Sequence, residues 1–334
     1  MTEKEIEVKK QVAKIFKTSE QRAKRNCCAL CGKPCLSFAN SHSVPRFVIK
    51  RVAVNGKLKT FNDIVGLYNN KNGVNNAWTF HIICSECENN NFSSYEDENA
   101  MLAEPTNKMM AEIALKNSLL MLYKYRIDRE TDQQAIAMGA FVGEIDVLSI
   151  MNTLDIENMD FEIRRSKKII DNSLKSGFKL IYYKKLDWTA PMAFQSELCL
   201  YKNLDGSILN DIYNESKKVR MQFMHICVFP LKEKTVVMVF VHKDDRNYVP
   251  FERQFSKLDE DKKLEYINYL IFKYTEHALI SPQIDPLVLK SAQLVDLCEE
   301  SHVNFWGFGQ KILPSEIPNF LSEEFALPKQ EVSE

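Results

Sequence analysis

Two Cys-x-x-Cys pairs, Cys28–Cys31 and Cys84–Cys87, constrain the fold of this 334-residue chain more than any other feature. Each pair brings two sulfurs to one ion from the same side, and four thiolates suit a tetrahedral zinc ion. Because the two pairs are far apart in the sequence, one ion would join two distant segments. The spacing therefore predicts a structural zinc site on Cys28, Cys31, Cys84 and Cys87.

Two neighbouring cysteines, Cys27 and Cys35, leave other assignments open, because each lies close enough to Cys31 to form an alternative pair. Four reduced thiols without a metal are the plainer alternative, since free cysteine is often buried as a small apolar residue. The chain has no apolar N-terminal signal segment, and its cysteines are not arranged as a disulfide framework. These features, with the lack of a long apolar run, predict a cytoplasmic protein that does not enter a membrane.

The charge of the chain is distributed unevenly. Residues 1–60 contain 14 Lys or Arg and 4 Asp or Glu, a net charge of +10, and the total of −1 leaves −11 for the remaining residues. Such asymmetry favours a negatively charged partner for the basic part, and nucleic acid is one. A solvated basic helix with no partner explains the same charge.

The sequence predicts helices on both sides of a β-rich region. Helices are expected at Glu3–Arg25, Asn107–Tyr125, Gln133–Leu154, Asp259–Leu279 and Pro286–Ser301. Strands are expected at Phe38–His42, Trp78–Ile83, Phe178–Tyr183, Phe194–Tyr201, Met221–Pro230 and Thr235–His242, the last two joined as a hairpin. Residues 52–76 read as hairpin and loops, and Trp306–Gly309 as an aromatic turn.

A Ser-His-x-x-Pro motif, from Ser41 to Pro45, lies between the two cysteine pairs, and a polar helix is expected after Cys87. Together with the cysteine pairs, this arrangement resembles the zinc-knuckle HNH endonucleases over about residues 27–95. The resemblance implies a ββα-metal nuclease module built on a treble-clef zinc site. It does not cover the rest of the chain.

The resemblance assigns roles to particular residues. His42 matches the general base, which takes a proton from the attacking water. Ser41 stands where the family has an Asp or His cation ligand, and a neutral hydroxyl is a poor ligand for Mg²⁺. Glu88, directly after the last cysteine, matches the final cation ligand and is a suitable oxygen donor. Asn91 lies three residues further along the same helix and is a third candidate catalytic residue.

The implied catalytic cation is Mg²⁺ or Mn²⁺ and is separate from the zinc ion, because zinc on four cysteines keeps no open position. Glu96 is a more distant candidate at this site. The middle Asn of the family has only a loose match in Asn76. His81 either substitutes for it or is an ordinary strand histidine.

Basic residues after the motif are candidate phosphate contacts: Arg46, Lys50, Arg51, Lys57 and Lys59. Such contacts would give nucleic-acid affinity that depends on salt and little on sequence.

The predicted fold class is α+β, with an N-terminal zinc-bound ββα-metal module and a larger α+β domain that has an antiparallel sheet and flanking helices. The predicted parts are a basic leading helix (1–26), the nuclease-like module (27–100), a connecting helix (101–130) and the α+β domain (131–334). This last part carries no catalytic motif, so we expect it to sense, to choose targets, or to contact a partner protein or a second copy.

The predicted function is a metal-dependent endonuclease that hydrolyses phosphodiester bonds in nucleic acid, with DNA favoured. The resemblance is compatible with an effector of a bacterial defence or toxin system. The alternative is a non-catalytic, zinc-stabilised module that binds nucleic acid or a protein.

Overall fold

The computed structural model describes residues 3–66, 73–139, 145–174, 176–303 and 312–329. Within these ranges the helices are α1 (Glu3–Ala23), α2 (Arg46–Val52), α3 (Phe61–Ile64), α4 (Ser85–Asn91), α5 (Glu98–Met101), α6 (Asn107–Ala137), α7 (Ile145–Ile170), α8 (Tyr248–Phe255), α9 (Glu260–Tyr274), α10 (Pro286–Leu289) and α11 (Ala292–Val303). The strands are β1 (Ser41–His42), β2 (Thr79–Phe80), β3 (Phe178–Leu186), β4 (Met192–Leu198), β5 (Met224–Pro230), β6 (Thr235–His242) and β7 (Leu279–Ile280). Short 3-10 helices follow at Pro314–Glu316 and Glu323–Phe325.

The main sheet has five antiparallel strands in the order β3-β6-β5-β4-β7. A tight turn joins β5 to β6, and in it Leu231 N donates to Lys234 O at 2.7 Å. Every residue of β4, β5 and β6 is buried. The predicted α+β class, the antiparallel sheet and the β5–β6 hairpin are therefore confirmed.

The sheet is covered on both faces. Alternate residues of β5 and β6, such as Phe229 and Phe240, pack into a core that also contains Cys28 and residues of α6 and α7. The residues between them, such as Val228 and Val239, pack against α8, α9 and α11. Burial on both faces explains why these strands are continuous apolar runs instead of alternating apolar and polar positions.

Helix α6 lies at the centre of the first core. The side chain of Thr106 caps its start by accepting a hydrogen bond from Met109 N at 3.1 Å. The helix is buried almost without interruption from Met109 to Leu122, including polar residues. It continues past residue 130, and one core contains both its side chains and those of the cysteine-containing segment.

The cysteine-containing segment has a small sheet of its own. Strands β1 and β2 pair antiparallel, with His42 opposite Thr79, and α4 follows β2 in the chain. A loop of this segment also extends the main sheet, because Lys59 and Ile280 exchange two backbone hydrogen bonds of 2.8 Å. The segment is thus joined to the main sheet by backbone pairing as well as by side-chain packing.

Some predicted elements were wrong in extent. The helix predicted at Gln133–Leu154 is divided, because its first residues finish α6 at Ala137 and α7 begins at Ile145. Helix α7 then runs to Ile170, and the ion pair between Glu162 and Arg165 on its buried side interrupts the apolar periodicity. Helix α9 ends at Tyr274 and not at Leu279, because Thr275 takes an extended backbone conformation and β7 begins at Leu279. The aromatic turn expected at Trp306–Gly309 lies outside the described residues.

Among the helices that the structure describes, none has the length and apolar character needed to span a membrane.

Candidate functional site

Four cysteines come together between the β1–β2 pair and α4. The Sγ atoms of Cys28, Cys31, Cys84 and Cys87 all lie within 4.8 Å of one another. Cys31 Sγ is 3.9 Å from Cys84 Sγ, close to the ~3.8 Å expected between two sulfurs of a tetrahedron with ~2.3 Å Zn–S bonds. The donor set and its spacing therefore fit one zinc ion, and the alternative pairings with Cys27 and Cys35 are not the ones that the fold assembles.

The backbone around Cys28 favours its thiolate form. Burial opposes ionisation, but hydrogen bonds from the backbone of Cys31, Cys84 and Leu30 lower the pKa of Cys28 to about 7. One of these is a contact of 3.3 Å from Cys84 N to Cys28 Sγ. The thiolate is the form that binds a metal, so Cys28 is prepared for one, whereas burial and the neighbouring thiols raise the pKa of Cys87.

A cavity of about 240 Å³ lies near the cysteine group, and its lining includes His42, Arg46, Phe47, Glu88, Glu96 and Lys116. Strand β1 supplies the histidine, α2 begins at the arginine, and α4 carries Glu88 in its first turn. The lysine comes from α6, outside the segment that the sequence motif covers. Four separate elements thus meet at one cavity.

The imidazole of His42 is held by a single backbone contact, with Nε2 lying 3.0 Å from Val74 O. A carbonyl oxygen only accepts, so Nε2 carries the proton and Nδ1 keeps its lone pair. Burial, followed by the positive charges of Lys116 and Arg46, lowers the pKa of His42. The ring is therefore neutral at pH 7, as a general base must be.

Both oxygens of the Glu88 carboxylate are occupied by donors. Ser41 Oγ, which is fully buried, donates to Oε2 at 2.7 Å. Lys116 Nζ donates to Oε1 at 3.1 Å. Ser41 and Glu88, the two residues predicted to hold a divalent cation, are thus brought together as expected. Their side chains, however, form a hydrogen bond with each other.

Lys116 was missed by sequence reasoning. Its side chain is only 2% exposed, yet its ammonium group donates to Glu96 Oε1 at 2.8 Å and lies 4.2 Å from the centre of the Phe92 ring. Burial lowers the pKa of this lysine, but its interactions with Tyr95, Glu88 and Glu96 raise the pKa by more than burial lowers it. The net pKa is raised, so the group stays charged. The available signal was a run of three polar residues, from Lys116 to Ser118, between apolar residues on the same helix.

These residues do not fit a divalent cation. Mg²⁺ demands near-octahedral oxygen ligands at about 2.0–2.1 Å, whereas a cation, the ammonium group of Lys116, already lies between the two carboxylates, and each oxygen of Glu88 already accepts a hydrogen bond. Among the described residues, the four cysteines are the one cluster of three or more metal-type ligands. We therefore take no catalytic step through Mg²⁺ or Mn²⁺.

Asn91 does not join His42. Its side chain donates to Cys87 O at 2.7 Å, and it lines a second cavity, of about 360 Å³, together with Cys31 and Lys167. Glu88 and Asn91, both on α4, therefore line different cavities. Glu96 lines the cavity of His42, where Asn91 was expected.

The predicted phosphate contacts are divided by the fold. Arg46 lies at the cavity and donates to Asn75 Oδ1 at 2.7 Å. Lys50 and Lys57 are exposed. Arg51 and Lys59 are half-buried and form ion pairs with acidic residues, Glu98 at 3.1 Å and Asp63 at 3.6 Å. The first three are thus better placed to meet a phosphate chain than the last two.

The loosely matched residues lie outside the cavity lining. His81 is exposed, and its ring lies edge-on to Tyr123, with centroids 6.5 Å apart. Asn76 is exposed as well, and its neighbour Asn75 is the one that contacts Arg46.

Comparison with known proteins found no relative of this chain. No family model matches the chain, and neither the curated proteins nor the solved structures that were searched contain a match.

Proposed function

We propose that the protein is an endonuclease of the HNH type that hydrolyses phosphodiester bonds in nucleic acid, with DNA as the favoured substrate. The observation that carries the proposal is the cavity in which a neutral histidine, an arginine and a buried lysine meet beside the cysteine cluster. The antiparallel pairing of β1 with β2, and the position of α4 directly after β2, support it, because a ββα module has two paired strands followed by a helix; here α2 and α3 lie between the two strands.

In this mechanism His42 acts as the general base. Its Nδ1 lone pair accepts a proton from water while the water oxygen forms a bond to phosphorus. The ester P–O bond on the opposite side breaks, and the departing oxygen takes a proton from solvent. The ring is kept in orientation by the bond between Nε2 and Val74 O.

Arg46 binds the phosphate in this mechanism. It is exposed at the start of α2, and its guanidinium group can present two parallel N–H donors to two phosphate oxygens. The exposed Lys50 and Lys57 extend the positive charge beyond the cavity. Charge that develops on the phosphorane oxygens is stabilised by these cations in a partly dehydrated site.

The test is cleavage of supercoiled plasmid by the full chain and by His42→Ala. We expect the substitution to lower the rate roughly 10²–10⁴-fold, the usual contribution of a general base. Zinc content and melting temperature should stay near those of the unchanged protein. His81→Ala is the matched control, since that histidine is exposed and outside the cavity, and it should cleave normally. Full activity in His42→Ala would remove this residue as the base.

A non-catalytic nucleic-acid-binding module is the second candidate. It is favoured by the hydrogen bonds that Ser41 and Lys116 donate to Glu88. These bonds occupy both oxygens of the carboxylate to which the resemblance assigns a catalytic role. Salt-dependent binding without cleavage, in any combination of DNA, RNA and divalent ions, would decide for this candidate.

A further inference from the structure

Lys116 lies where two carboxylates converge. Its Nζ atom is 3.1 Å from Glu88 Oε1 and 2.8 Å from Glu96 Oε1. The aromatic rings of Phe92 and Tyr95 lie against it, with centroids 4.2 Å and 5.7 Å away. Carboxylates and aromatic faces both attract a cation, so this environment is built to hold one positive charge.

The lysine comes to the cavity from a part of the chain outside the sequence motif. It projects from α6, while His42 and Glu88 belong to β1 and α4. The next residues on α6 are fixed by the sheet, since Asn117 bonds to Gln195 and Ser118 donates to Glu197. The position of the ammonium group is therefore set by the packing of α6 and does not depend on a flexible surface side chain.

A divalent cation and this ammonium group compete for the same oxygens. Glu88 has no free oxygen, because Ser41 Oγ donates to the one that Lys116 does not use. A second cation close to Nζ would also be repelled, and the repulsion is strengthened because the lysine side chain is only 2% exposed. The chain itself thus already supplies one cation to the two carboxylates of this cavity.

We propose, building on the function proposed above, that Lys116 is the resident cation of this cavity, so that phosphodiester cleavage at His42 requires no divalent metal ion there. The ammonium group then balances one of the two negative charges of Glu88 and Glu96, and Arg46 at the same cavity balances the other, so that an anionic phosphate can approach. The chemical class of the substrate is unchanged, and the cysteine-bound ion keeps its structural role.

Binding of Mn²⁺, followed by electron paramagnetic resonance on the full chain with its zinc site filled, tests the proposal without relying on activity. The unchanged protein should bind no Mn²⁺ that depends on Glu88. Lys116→Met keeps the length of the side chain and removes its charge, so it should gain one Mn²⁺ site with affinity roughly tenfold or more above background. Lys116→Met combined with Glu88→Gln should lose that site again.

Lys108→Met is the matched control, because Lys108 lies on the same helix with a 57% exposed side chain and is not part of the cavity lining. It should leave Mn²⁺ binding as in the unchanged protein. A Mn²⁺ ion bound by the unchanged protein and lost in Glu88→Gln would overturn the proposal. So would a folded Lys116→Met that gains no site. If Lys116→Met fails to fold, the comparison of the unchanged protein with Glu88→Gln decides alone.

Cleavage assays separate this proposal from the function on which it rests. Plasmid cleavage by zinc-loaded protein in the absence of other divalent ions supports both. Cleavage that appears only with added Mg²⁺ or Mn²⁺ keeps the nuclease and rejects Lys116 as the resident cation. Absence of cleavage under every condition rejects the nuclease, and the Mn²⁺ measurement then still decides whether Lys116 excludes a metal.

Discussion

At the scale of single residues, the chemistry of the cavity depends on the protonation of His42. Burial of the ring lowers its pKa, and so do the positive charges of Lys116 and Arg46. The negative charge of Glu88 raises it. Because burial, together with the two positive charges, outweighs the hydrogen bond with Val74 O and the carboxylate, the pKa of His42 falls below its ordinary value of 6.5. The neutral form that accepts a proton therefore persists into mildly acidic solution.

The pH dependence of cleavage should reflect this environment. The proposed base works only when neutral, so kcat/KM should fall as pH decreases through the pKa of His42, with the midpoint below 6.5. Arg46→Gln removes one of the cations that depress this pKa, so the midpoint should move up towards the ordinary value even though the maximal rate also drops. A plot of kcat/KM against pH for both proteins measures the shift. A midpoint above 6.5 in the unchanged protein would contradict this assignment.

At the scale of elements, the contact between α6 and the sheet is partly polar. Gln195 Nε2 on β4 donates to Asn117 Oδ1 at 3.0 Å, and Asn117 Nδ2 lies 3.2 Å from His225 Nδ1 on β5. Ser118 Oγ donates to Glu197 Oε2 at 2.7 Å. Hydrogen bonds are directional, so they fix the rotation of α6 about its axis more strictly than apolar packing would. The same rotation directs Lys116 to the cavity.

Glu197 should make stability decrease with rising pH. Burial, opposed by the hydrogen bond from Ser118, raises the pKa of this carboxyl to about 8, so it is neutral in the folded protein at pH 7 and ionised in the unfolded chain. Its contribution is therefore fully present below the unfolded pKa and is lost as pH rises towards 8. Glu197→Gln keeps the shape and removes the ionisation, and at pH 7 it should stabilise the protein by on the order of 2–3 kcal/mol.

Urea unfolding at pH 5 and pH 8 measures this effect. The gain from Glu197→Gln should be small at the lower pH and larger at the higher one. Glu215→Gln, at an exposed position, is the control and should change little at either pH. A Glu197→Gln variant that is less stable than the unchanged protein at pH 8 would show that the carboxylate is ionised and needed in the fold.

At the scale of the whole molecule, the cysteine cluster is part of the main core. Cys28 and Phe80 belong to the same buried cluster as Met110 of α6 and Phe240 of β6. Leu58 also joins this cluster, while Phe61, only a few residues later, packs into the core on the other face of the sheet. The cysteine-containing segment therefore shares its interior with α6, α7 and one face of the main sheet.

Loss of the cysteine-bound ion should lower the stability of the entire protein in one step. Binding of structural zinc supplies roughly 10 kcal/mol or more of folding free energy in small zinc peptides. Because the cysteine-containing segment shares a core with the main sheet, loss of the ion should destabilise the sheet as well. Calorimetry should show a single unfolding transition shifted down by on the order of 10 °C in Cys84→Ser, with zinc content lost. Cys35→Ser, outside the cluster, should keep both zinc and melting temperature. Two separate transitions, with the main one unmoved, would show that the segment unfolds independently.

The sequence by itself determined the local features. The two Cys-x-x-Cys pairs predicted which sulfurs gather, and the apolar runs predicted four of the five strands of the main sheet, all but β7, because both signals are carried by residues close together in the chain. It also placed His42 and Glu88 as neighbours of the cysteine pairs, and both line one cavity.

Only the tertiary structure decided what surrounds them. Lys116 lies 28 residues after Glu88 in the sequence, and nothing in the local pattern of α6 states that its ammonium group ends between two carboxylates. The different directions of Glu88 and Asn91, and the burial of the sheet on both faces, likewise follow from how whole elements pack. Contacts between distant segments depend on the combined free energy of the packed core, and a local pattern does not carry that information.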